Sequence, residues 1–72
     1  MDMLSREEIE VRLEALDSFI ESLEDVGYRN LLGADPQDAE RTLQQEKALA
    51  KVLRALVKAH HDLEALVQLC DA

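Results

Sequence analysis

The stretch Leu31-Leu32-Gly33-Ala34-Asp35-Pro36 decides the fold, because it holds one of the two glycines and the single proline in 72 residues. Gly33 suits the left-handed position just past a helix end. Asp35-Pro36 reads as the N-cap and first residue of a new helix. A stop signal and a start signal so close together make the flanking helices lie antiparallel, side by side. The expected elements are a helix over 5–32, a turn over 33–35 and a helix over 36–70. Residues 1–72 then form a single all-α domain, an antiparallel αα-hairpin.

Upstream of the turn, the helix start is written in a capping box. Ser5 can accept from the N–H of Glu8, Glu8 can reach back to Ser5, and Leu4 and Ile9 flank the cap as a hydrophobic staple. Acidic Glu7 and Glu8 in the first turn suit the helix dipole. Ile9, Leu13, Leu16, Phe19, Ile20 and Leu23 then form an apolar stripe of helical period. Gly27 continues it at a cost of about 1 kcal/mol relative to Ala, and a break over Gly27 to Asn30 is the competing boundary.

Downstream, nothing interrupts the chain from Pro36 to Leu69. At about 1.5 Å per residue the second helix would be roughly 50 Å long. Its seam runs Ala39, Thr42, Glu46, Leu49, Leu53, Leu56, His60, Leu63, Val67 and Cys70. A two-stranded seam needs two positions per heptad, yet Val52, Ala59 and Leu66 widen it on one side and Leu43, Ala50 and Val57 on the other. Two helices cannot cover so broad a face, and small scaffolds without disulfides or metals commonly oligomerise. The expected assembly is a homodimer, two hairpins forming a four-helix bundle, with Leu49, Val52, Leu53, Leu56, Val57, His60 and Leu63 in its core.

A turn centred near Ala34 would set Leu49 against Ile20, Leu53 against Leu16, and Leu63 near Ser5. The second helix would then overhang the first, leaving Leu66, Val67, Leu69 and Cys70 beside Met1, Met3 and Leu4. An exposed apolar cluster of this kind is a candidate partner site. Met3, Leu4, Leu66, Val67 and Leu69 are the apolar residues assigned to it.

Charge is divided unequally. Residues 1–25 carry nine acids against Arg6 and Arg12, whereas the other forty-seven carry seven acids against six bases. Glu7, Glu10, Glu14, Asp17, Glu21 and Glu24 form an acidic ladder at helical spacing, answered on the second helix by Lys47, Lys51, Arg54 and Lys58. The plain role of both ladders is a solvated face. The functional role of the acidic one is to meet a basic surface on a partner.

Composition removes several classes. A net charge of −8 argues against direct binding to nucleic-acid phosphates. No apolar run approaches a membrane span, and the N-terminus lacks the basic and apolar regions of a signal peptide. One cysteine makes no internal disulfide, so a reducing cytoplasm is the expected location. His60 and Glu64 stand one turn apart, but two ligands make no metal site. Cys70 has no base beside it in sequence. No catalytic residue, cofactor or metal is expected, and the chain reads as a non-enzyme.

The leading expectation is a small adaptor or inhibitor of the bacterial or phage kind that regulates another protein by binding it. The alternative is a nucleic-acid mimic whose acidic edge blocks a DNA- or RNA-binding protein. In shape the chain is similar to plasmid copy-control proteins of the Rop type, acidic helical hairpins that dimerise into four-helix bundles. It shares no sequence motif with them, so an RNA-binding dimer using Lys47, Lys51, Arg54 and Lys58 is the weakest of the three readings.

Overall fold

The structure is a computed structural model, and it describes residues 4–70. Helix α1 spans Arg6–Leu32, a 3₁₀ turn spans Pro36–Asp38, and helix α2 spans Ala39–Leu69. The two helices pack antiparallel into a rod of 57 × 17 × 15 Å. Its radius of gyration is 16.7 Å, against about 11 Å for a compact chain of this length. No helix among the described residues is long and apolar enough to cross a membrane.

The caps show why the helices start where they do. Ser5 is extended, and its hydroxyl accepts from the N–H of Glu8 at 3.4 Å. Arg6 and Glu10 pair one turn apart at 2.9 Å. At the far end Gly33 closes α1 with its N–H on the carbonyl of Arg29. Its φ is −92°, so the expected left-handed conformation is not used. Ala34 donates to Leu31 in a tighter turn, and that bond satisfies the helix end without a reversal of backbone hand.

Asp35 caps as expected, accepting from the N–H of Gln37 at 3.0 Å. What it caps is the 3₁₀ turn, and α2 proper begins at Ala39 rather than Pro36. The connection therefore takes six residues, Gly33 to Asp38.

That lengthened crossing resets the register. Gly27 sits against Leu49, Asn30 donates to Glu46 at 3.0 Å, and His60 lies 3.9 Å from Asp17. Carried along the seam at coiled-coil spacing, these contacts set Leu53 against Leu23, Leu56 against Ile20, Leu63 against Leu13 and Val67 against Ile9. The expected pairing is thus displaced by seven to eight residues, about two helical turns. The helices end flush where α1 begins, and α2 has no overhang there. Its unpaired start lies at the turn, where Thr42 shares a hollow with Ala34.

Val67 is accordingly 5% exposed. It belongs to the hairpin seam and not to an exposed tip. Ile20 is 7% exposed and Gly27 is buried, while Leu49, Leu53, Leu56, His60 and Leu63 are half-buried. α1 runs unbroken through Gly27, and the missing side chain there lets Leu49 approach so closely that an added β-carbon would lie 2.7 Å from it.

Candidate interaction surfaces

Every seam residue has neighbours one step before or after it in sequence, and these neighbours define the two sides of the rod. Phe19 and Val26 precede Ile20 and Gly27, while Val52, Ala59 and Leu66 precede Leu53, His60 and Val67. In an antiparallel pair these positions fall on one side of the seam. Phe19 is 52% exposed, Val26 45% and Val52 48%. Small residues (Ala15, Ala48 and Ala55) flank them, so this side is a broad, shallow apolar face. The expected tip separates accordingly: Leu66 is half-buried and Leu69 exposed, and both extend this face toward the open end. Leu4 is exposed, and Met3 lies outside the described residues.

The other side carries the residues that follow seam positions. On α2 these include Leu43, Ala50 and Val57, and on α1 they are Glu10, Asp17, Glu24 and Leu31. Val52 and Val57, both assigned to one core from the sequence, therefore stand exposed on opposite sides of the hairpin.

Near the turn this second side opens into an apolar hollow of about 400 Å³ formed by Leu31, Ala34, Pro36, Ala39 and Leu43, with Asp35, Thr42 and Glu46 at its edge. A groove of about 290 Å³ continues from it past Tyr28, Ala50 and Leu53, bordered by Glu24 and Glu46. The unpaired apolar end of α2 thus lies at the turn and not at the open end that the sequence suggests. The signal that marks this one is the row of apolar residues, Leu31, Ala34, Pro36, Ala39 and Leu43, bracketing the turn.

The acidic ladder borders the same side. Glu7, Glu10, Glu14, Asp17, Glu21 and Glu24 are all exposed. Glu10 pairs with Arg6, and Asp17 approaches His60. Among the described residues, Glu14, Glu21 and Glu24 stand in no ion pair. The ladder thus keeps most of its charge for solvent or for a partner.

On α2 the bases Lys47, Lys51, Arg54 and Lys58 are exposed. Lys58 donates to Asp62 at 2.8 Å. That hydrogen bond, with the attraction behind it, raises the Lys58 amine above its ordinary range and holds the Asp62 carboxyl below its own. The pair is open to water, so it orders side chains more than it stabilises the fold.

His60 occupies the seam with a carboxylate beside each ring nitrogen. Glu64 of its own helix lies 3.0 Å from Nδ1, and Asp17 of α1 lies 3.9 Å from Nε2. The two nitrogens look in different directions, so these carboxylates do not converge on one ion. Among the described residues no cluster of three or more metal-ligating side chains occurs. The Cys70 thiol donates to the carbonyl of Leu66 at 3.4 Å, an ordinary helix-end contact. No protein-family model, curated protein or solved structure matches the chain.

Proposed function

We propose that the chain is a protein-interaction module, an adaptor or inhibitor that holds a segment of another protein in the turn-end hollow. The observation behind this reading is the juxtaposition of that apolar hollow with acidic residues that stand in no ion pair among the described residues. Leu31, Pro36 and Leu43 offer an apolar centre with Asp35 and Glu46 at its edge, and Glu24 borders the groove that continues from it. An apolar centre with a charged rim is the usual anatomy of a protein-docking patch. The occupant that suits it is an amphipathic segment with apolar anchors and basic flanks, since acids facing bases steer encounter and set orientation.

The test uses purified protein as bait in a lysate of its source cells, followed by reconstitution with the purified partner. Leu43→Asp should abolish binding, because a charge in the hollow would be buried without a partner. Glu21→Lys with Glu24→Lys should slow association and flatten its salt dependence. Circular dichroism on each variant must first show an intact hairpin. Full binding by Leu43→Asp would overturn the hollow as the docking site.

A second reading rests on the ladder itself. Uncompensated carboxylates at helical spacing support a nucleic-acid mimic that occupies a phosphate-binding groove. Its signature is affinity that collapses with salt, loss of binding on charge reversal, and indifference to Leu43→Asp.

A further inference from the structure

The broad apolar face on the opposite side is separate from the turn-end hollow and needs its own occupant. Phe19, Val26 and Val52 stand half-exposed in adjoining rows, with Ala59 and Leu66 continuing the row on α2. We propose that a second copy of this chain covers this face, stacked antiparallel so that the turn of each hairpin lies over the open end of the other. The arrangement sets α1 on α1 and α2 on α2 around a twofold axis that crosses the rod.

Area is the first argument for a second copy. The chain exposes 5998 Å², whereas a compact monomer of its mass exposes about 4,500 Å². The excess is roughly 1,500 Å², and a standard interface takes about 800 Å² from each partner. One face-to-face contact therefore fits within the excess, and its rows of large and small side chains have the texture of a helix-bundle core.

Charge along the face selects the orientation. At the turn end its edges carry Arg29 and Arg41, while toward the open end they carry Glu8 and Asp62. Asp62 is paired with Lys58, and Arg12, in the row of Phe19 and Val26, donates to the Glu8 carbonyl. Parallel stacking would gather four arginines, two from each copy, at one end. Antiparallel stacking turns the arginine-bearing end of each copy toward the end of the other that carries Glu8 and Asp62. The acidic ladders then point away from each other, and the turn-end hollows stay open at opposite ends of the bundle. Like-charge contact is a strong discriminator between alternative dockings.

Two measurements on the full chain decide the matter. Sedimentation equilibrium at about 100 µM should report twice 8.1 kDa. Phe19→Asp and, independently, Ala55→Arg should each weaken association by about 100-fold or more, whereas Leu43→Asp on the opposite side should leave the dimer intact. Ala55→Arg removes no apolar contact within the hairpin and retains helix propensity, so it reads the face even where Phe19→Asp unfolds the chain.

For orientation, a spin label at Gln37→Cys in a Cys70→Ser background reports the separation of the two turns. Antiparallel stacking of rods 57 Å long predicts about 50 Å, and parallel stacking about 20 Å, given helices roughly 10 Å apart. A folded monomer at that concentration would exclude the second copy as occupant, and a 20 Å separation would exclude this orientation. Neither result bears on the turn-end hollow, whose test rests on Leu43.

Discussion

Gly27 and Gly33 invert the roles their sequence contexts suggest. Gly33, placed after a helix, reads as the residue that turns the chain through positive φ, yet it sits at −92° where other residues are also at ease. Gly27, placed inside a helix, reads as a weak point, yet it is the position that requires glycine. Its missing side chain lets Leu49 approach until an added β-carbon would lie 2.7 Å from Cδ2. Gly27→Val should therefore wedge the helices apart and cost about 1–3 kcal/mol, with much of the loss restored by Leu49→Ala in the same chain. A double-mutant cycle of chemical-denaturation midpoints checks this, and additive costs would refute the contact. The helix-breaking cost of Gly27 was visible in the sequence. The space it provides was not, because that depends on which α2 residue stands opposite.

At the scale of the element, periodicity carried far and register did not. The stripe from Ile9 to Leu23 and the seam from Glu46 to Val67 follow from residue spacing alone, and the structure places both between the helices except for Phe19, which stands exposed on the side face. Which residue faces which depends on the path of the connection. Taking Asp35-Pro36 as the start of α2 shortens that path by the 3₁₀ turn, which moves every pairing by about two turns of helix. Hence the sequence alone points Val67 to an exposed tip, where the structure buries it, and does not mark the turn-end hollow. The Asn30–Glu46 hydrogen bond at 3.0 Å reports the true register directly. Asn30→Asp would replace an amide donor with a second carboxylate beside Glu46. It should cost about 1.5–3 kcal/mol at neutral pH, the scale of a hydrogen bond to a charged group, and Glu46→Gln should recover most of it. If Asn30→Asp melts like the parent, the two residues do not meet.

At the scale of the whole molecule, a 57 Å rod with few buried residues has little interior over which to spread electrostatic strain. Its net charge of −8 falls mainly on α1, where the ladder from Glu7 to Glu24 sets like charges three and four residues apart along the helix. Each such pair opposes helix formation by about 0.2–0.5 kcal/mol, and few bases stand close enough to offset them. Salt shortens the reach of this repulsion from about 30 Å at 0.01 M to about 10 Å at 0.1 M. Raising ionic strength over that range should therefore stabilise the hairpin. Relief of about 1 kcal/mol corresponds to a melting-temperature rise of about 4–8 °C for a domain of this size. Glu14→Lys inserts a positive charge midway along the ladder, turning two repulsive spacings into attractive ones. It should raise the melting temperature at low salt and shrink the salt-induced gain. A melting temperature that falls with added salt would mean that attractive pairs dominate the surface. The ladder would then be a structural feature of α1 and not charge held for a partner.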